Sequence, residues 1–316
     1  MTAASVDPGG PQSTTRATRT KALLLINRNA RHGQSDARAA LEVLARRGFD
    51  VLEEHVDQPR QMSRTIRRAR GRVDAVIIGG GDGTLNMAAD GLVDVQLPLG
   101  ILPMGTANDL ARTLGIPTHL AAAADVIARG HQKRIDLGWV NGRHFFNVAT
   151  VGLGAAVTRR LSRERKSRWG SLAYLFAAAQ VVVHARPFAA HIRAGGETLR
   201  VRTVQITIGN GRHYGGGMTV DATARIDDGM LDLISLEVEH WWQIVRLLPS
   251  LRRGTLSGAP HVRTLCGREF EVRTVKKRRR IRVTADGEIS GRTPAHFRIV
   301  PQALAVFVPV EPATEG

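Results

Sequence analysis

The segment VDAVIIGG (73–80) constrains this chain most. It has the length and apolar character of a buried strand. It runs straight into Gly79-Gly80-Gly81, and a helix is expected to begin near Thr84. A strand that ends in glycines and opens a helix is the connection of a parallel α/β layer. Three more runs of this kind surround it: KALLLIN (21–27), FDVLEEHV (49–56) and PLGILPMG (98–105). Ala37, Ala40, Leu41, Leu44 and Ala45 fall at helical spacing, with Ser35 the expected N-cap and Gly48 the C′ residue. Met62, Ile66 and Ala69 share a second helical face, and further helices follow Gly105 and Thr118. Strands apolar on both sides read as a parallel sheet covered on two faces.

The pattern changes after about residue 130. RIDLGWV and RHFFNVATVG are joined by Asn141-Gly142, a strong hairpin signal. A second such pair is centred on Gly195-Gly196, and strands follow over 229–236 and 261–283. Helices are expected only over roughly 155–184 and 240–252. A length of 316 residues suits two domains. The expected organisation is a flexible tail over 1–20, an α/β nucleotide-binding domain over 21–135, and a mainly antiparallel β-rich domain over 136–310. The last apolar run (297–309) is open to either half.

The glycine loop suits phosphate, because backbone N–H groups at a helix's positive end face an anion. It lacks the Lys-Ser/Thr pair of a P-loop and the spaced glycines of dinucleotide folds. Asp82 fits an anion site only if a cation bridges it to the phosphates. The plain alternative is a strand-to-helix turn that needs glycine. A second loop, LGILPMGTANDL (99–110), again ends a buried strand in a glycine-led turn, with Thr106, Asn108 and Asp109 beside it. Ligands of parallel sheets bind outside the carboxyl ends of the strands, so the two turns can wall one crevice.

Charge narrows the partners. Lys+Arg exceed Asp+Glu by 45 to 28, a net +17, which favours nucleotide phosphates, nucleic acid or an acidic membrane surface. One cysteine, Cys266, excludes a disulfide framework or a cysteine-built zinc site. No apolar run approaches the ~20 residues of a membrane span. Residues 1–20 contain no apolar signal region, so the expected location is cytoplasmic. Aromatic residues make up 4% and are not interleaved with the basic runs, so no specific nucleic-acid platform is expected.

GGDGTLN (80–86) followed by GTAND (105–109) resembles the catalytic domain of diacylglycerol kinases, and more closely the bacterial lipid kinases that carry this domain. GGDGT alone also occurs in NAD kinases; GTAND points to the lipid branch. The resemblance covers about residues 21–310. It implies an ATP- and Mg2+-dependent kinase whose acceptor is a lipid hydroxyl, on diacylglycerol or a related glycerolipid or sphingoid lipid. It implies nucleotide contacts from Asn27, Gly80, Gly81, Asp82, Gly83, Thr84, Leu85, Asn86 and Thr106, with Asp82 serving nucleotide or magnesium. The family's catalytic acidic pair falls on Asp286 and Glu288 of VTADGEISG (283–291), and the sequence does not choose between them. Read alone, Asp286-Gly287 is first of all a solvated β-turn, because Asp-Gly is a common turn pair. The family's structural magnesium falls on Asp228, with main-chain oxygens near Arg225 and Met230; a plain turn is the other reading. Two departures stand out: Arg28 follows Asn27 where Pro is frequent, and Met87 follows Asn86 where Glu is common.

A kinase whose substrate stays in the bilayer needs to dock there. Two basic runs, 158–170 and 272–283, are expected to face an anionic membrane peripherally. An arginine-rich surface without that role is the dull alternative. The competing functions are a soluble NAD kinase-like enzyme and a non-enzymatic basic protein that binds nucleotide or nucleic acid.

Overall fold

The computed structural model describes residues 19–26, 34–56, 61–153, 186–211, 213–214, 218–219, 225–240, 242–244, 246–247, 258–276, 278 and 280–310. Asn27 and the run 154–185, with its basic stretch and expected helix, lie outside the described residues, as does most of 240–252.

The first half alternates β1 (Thr20–Ile26), α1 (Gln34–Arg46), β2 (Phe49–His55), α2 (Met62–Arg68), β3 (Ala75–Gly80), α3 (Asp82–Val95), β4 (Leu99–Pro103), α4 (Asp109–Thr113) and α5 (Leu120–Arg129). The strands lie in the order β2-β1-β3-β4, all parallel. Every residue of β3 and β4 is buried, as helices on both faces require. Leu23, Leu25, Ile77 and Ile78 form the centre of this core with Leu44, Ile66 and Leu92 from the helices. Each such side chain contributes about 1.5–3 kcal/mol by leaving water. Two helix starts differ from expectation. α1 begins at Gln34, so Ser35 falls within the helix. α3 begins at Asp82, two residues before Thr84, because Gly81 in extended geometry (φ −100, ψ −174) serves as the N-cap.

The second half comprises β5 (Gln132–Val140), β6 (Arg143–Phe145), β7 (Val148–Gly152), β8 (Phe188–Ala194), β9 (Glu197–Thr203), β10 (Gln205–Gly209), β11 (His213–Tyr214), β12 (Met218–Thr219), β13 (Leu231–Leu236), β14 (Val262–Gly267), β15 (Glu269–Thr274), β16 (Arg282–Ala285), β17 (Glu288–Arg292) and β18 (Ala295–Phe307). One sheet runs β14-β13-β10-β7-β16-β17, with every pairing antiparallel. A second core, rich in Phe145, Phe188, Phe270 and Phe297, packs this sheet against β8, β15 and β18. Both expected hairpin turns take the left-handed geometry: Asn141 and Gly142 at φ 48 and 94, Gly195 and Gly196 at φ 55 and 90. β18 joins the halves. It pairs in parallel with β4 through Val306 and Leu99, and antiparallel with β5 and β15. The result is an α/β half with a parallel sheet and an antiparallel β-rich half.

Candidate active site

The two glycine loops meet backbone to backbone. A Cβ built on Gly81 would stand 2.9 Å from Gly105 Cα, and one on Gly105 would stand 2.5 Å from Gly81 Cα. Only glycine allows this approach. Met104 N–H donates to the Gly80 carbonyl at 3.0 Å, tying the loops further. The GTAND turn is held by Asn108, whose side chain accepts from Gly105 N–H at 2.9 Å and donates to the Gly105 carbonyl at 3.0 Å. Asn108 is therefore spent on structure, while Thr106 is exposed at the tip.

At the start of α3, Gly83 is exposed, Thr84 and Asn86 are buried, and Leu85 points into the core. Leu85 can therefore meet a nucleotide only through its backbone. Asp82 Oδ1 accepts from Leu110 N–H at 3.2 Å. Burial, then the nearby charge of Asp109, raises the Asp82 pKa above the usual carboxylate value, with N–H donors opposing in part.

Asp286 and Gly287 form a two-residue turn between β16 and β17, at φ 43 and 86. Despite the turn, the Asp286 carboxylate is folded inward. Its Oδ1 accepts from Asn147 N–H (3.0 Å) and Val148 N–H (2.9 Å). Its Oδ2 accepts from Phe146 N–H (2.7 Å) and Asn86 Nδ2 (3.1 Å). Four donors fill the acceptor sites of one carboxylate. Burial still dominates, and pushes the pKa from 3.8 to about 6. The bond from Asn86 brings the two sequence motifs together across 200 residues. Glu288, two residues on, is exposed, and lines a cleft of about 510 Å³ with Ser63, Arg67, Met87, Asp90 and Arg143.

The residues expected to hold a structural metal lie together on the turn 225–230. Asp228 is exposed, and its Oδ1 closes a turn by accepting from Met230 N–H at 2.9 Å. The Arg225 side chain reaches Asp227 instead, at 3.2 and 3.3 Å. Among the described residues no three His, Cys, Asp or Glu side chains cluster as metal ligands would.

Sequence reasoning passed over two acidic residues near this seam. Asp136, buried inside β5, accepts from Gly229 N–H (2.6 Å) and Gln302 N–H (2.7 Å), fastening the 225–230 turn and β18 to the strand. A lone Asp in an apolar strand was the available signal. Asp90, on α3, is paired with His144 of β6.

A glycine-led helix start thus stands beside an inward-turned carboxylate carried by the antiparallel sheet. Residues 21–140 match the diacylglycerol kinase catalytic domain, and residues 147–308 match the YegS C-terminal NAD kinase beta sandwich-like domain. The chain is 32% identical over 301 residues to a diacylglycerol kinase of Mycobacterium tuberculosis (strain CDC 1551 / Oshkosh), covering 92% of this chain and 95% of that one. It is 32% identical over 265 residues to an uncharacterized Synechocystis protein, covering 81% of this chain but only 60% of that longer one. The crystal structure of a diacylglycerol kinase from Bacillus anthracis str. Sterne superposes with a TM-score of 0.78 at 25% identity, covering 92% of this chain and 97% of that one. The chain belongs to the diacylglycerol kinase family of lipid kinases.

Proposed function

We propose that the chain transfers the γ-phosphoryl group of ATP to a hydroxyl of a membrane lipid, with diacylglycerol the first candidate and other glycerolipids or sphingoid lipids behind it. The carrying observation is the Asn86–Asp286 hydrogen bond, which sets a glycine-led helix start beside a half-buried, inward-turned carboxylate. In this reading the backbone of Gly80, Gly81 and Gly83, with Thr84, receives the phosphates at the positive end of α3. Asn27, Thr106 and the Leu85 backbone complete the nucleotide contacts. Asp82 and Asp109 are crowded like charges, a donor set that fits Mg2+. When bound, the ion would neutralise phosphate charge. At the second site a cation would use the remaining Asp228 oxygen and the carbonyls of Arg225 and Met230.

Asp286 is the proton acceptor. With a pKa of about 6 it is ionised at neutral pH yet basic enough to take a hydroxyl proton in the transition state. Asn86 makes the longest of its four bonds, so it is the donor that the lipid hydroxyl displaces. The hydroxyl oxygen bonds to the γ-phosphorus, the bond to the bridging oxygen breaks, ADP leaves, and the proton passes to Asp286. Glu288, open in the cleft, orients the acceptor.

The test is incubation with labelled ATP and a lipid panel, with NAD alongside. Label is expected in the organic phase. Label on NAD instead, or on no acceptor, would refute the reading.

Docking is the second part of the proposal. Among the described residues no helix is long and apolar enough to cross a membrane. Lys276, Arg278 and Arg280 are exposed beside β16, close in sequence to Asp286. Each basic residue near an anionic bilayer adds about 1 kcal/mol of attraction. Reversing all three to Glu is expected to weaken binding to phosphatidylserine-containing vesicles by at least about tenfold in a sedimentation assay. Unchanged binding would remove this surface from the proposal.

A further inference from the structure

His144 is gripped at three atoms by two side chains of α3. Its backbone N–H donates to Asp90 Oδ1 at 3.1 Å, and its ring Nδ1 lies 2.8 Å from the same oxygen. Its carbonyl oxygen accepts from Asn86 Nδ2 at 3.5 Å. Asn86 and Asp90 are four residues apart, hence on one helix face. Two residues beyond His144 begin the three N–H groups that hold Asp286, those of Phe146, Asn147 and Val148. The stretch 144–148 is thus fastened at one end to α3 and at the other to the catalytic carboxylate. The same helix starts at the glycine loop, about 12 Å away at 1.5 Å per residue.

The pair is more than surface decoration. The side chains are 17% and 30% exposed. Burial works to raise Asp90, but the hydrogen bonds from the His144 ring and backbone, with the charges of His144 and Arg143, hold it below the usual carboxylate value. Asp90 is therefore an anion accepting two donors on one oxygen, a charge-assisted and directional contact. β6 does not depend on it for pairing, because Arg143 and Phe145 remain in register with Val140 and Gly138 of β5. What Asp90 adds is the tie to α3.

We infer that Asp90 and His144 are positioning residues: the pair locks the 144–148 backbone to α3 and so fixes the proton acceptor at a set distance from the phosphate-binding end of that helix. This rests on the reading of Asp286 as the proton acceptor. A misplacement of order 1 Å at a reacting centre costs about 100-fold in rate.

The experiment compares Asp90→Ala, Asp90→Asn, Asp94→Ala and Asp286→Asn, by kcat, KM for ATP, pH–rate profile and melting temperature. Asp94, on the same helix as Asp90, pairs with exposed Arg67 of α2 and serves as the control. Asp90→Ala is expected to lower kcat by about 10- to 100-fold with little change in KM for ATP. Its acidic limb is expected to move upward from about 6, because the donors that hold Asp286 down are no longer fixed. Asp90→Asn keeps an oxygen acceptor and is expected to recover most of the loss, and Asp94→Ala to match the parent. Parent-like kcat in Asp90→Ala, or a loss that follows the folded fraction with an unmoved limb, overturns the inference. Activity retained in Asp286→Asn overturns the proton-acceptor assignment itself, a distinguishable result.

Discussion

Asp286→Asn is expected to lower lipid phosphorylation by three orders of magnitude or more while leaving the chain folded. General base catalysis alone accounts for about 10²–10⁴-fold. The fold survives because two effects of the substitution offset each other. Keeping an ionised carboxylate in this buried position costs about 3 kcal/mol, from a pKa moved from 3.8 to about 6 at 1.36 kcal/mol per unit. Asn removes that cost, but turns an NH2 group toward backbone N–H donors, a loss of about 1–3 kcal/mol. The pH dependence has a definite sign. The folded state binds the Asp286 proton more tightly than the unfolded state, so this group favours folding fully below about pH 4. That contribution is lost as pH rises through about 6. Activity runs the opposite way, falling as pH drops through about 6 because the acceptor must be ionised. Parallel titrations of rate and of urea midpoint check both. An acidic limb near 4 would show that Asp286 is not the group being read.

Gly81→Val is expected to abolish ATP binding and to lower the melting temperature. The new Cβ would meet the Gly105 backbone at 2.9 Å, with no flexible side-chain end to yield. Forcing the loops apart costs about 1–3 kcal/mol and opens the crevice that they wall. Gly83 supplies the contrast, since a Cβ there meets nothing within 4 Å. Gly83→Ala should keep the parent melting temperature. Thermal melts with and without Mg-ATP measure both, since a ligand that binds only the folded state raises the midpoint. A full ATP-dependent shift in Gly81→Val would mean that these loops do not hold the nucleotide.

The parallel half was legible because its strands are apolar on both faces, a pattern that Ala75–Gly80 and Leu99–Pro103 display without interruption. The hairpins were legible because Asn141-Gly142 and Gly195-Gly196 announce left-handed turns. At Asp286 the turn reading holds for the backbone alone. Asp-Gly does make the turn, but the carboxylate is bound by N–H groups from residues 146–148, some 140 positions earlier. Local sequence carries no trace of such a distant partner. The same distance hid Asp90 and His144, each an ordinary polar residue in its own segment. GTAND read as a ligand loop, yet Asn108 spends its amide on Gly105. The chemistry of a residue type was visible; which partner claims it was decided by the fold.

β18 imposes an order in time. The ribosome delivers the chain from its N-terminus, and domains begin folding as they emerge. β4 has β3 on one side, and β18 covers the other. Until residues 295–307 are made, the nucleotide-binding sheet therefore carries an open edge, and most of β5 lacks its long partner. Such edges invite pairing with other chains. The half that is synthesised first is thus finished last, and a ribosome stalled before residue 295 would release a nascent chain in need of chaperone cover.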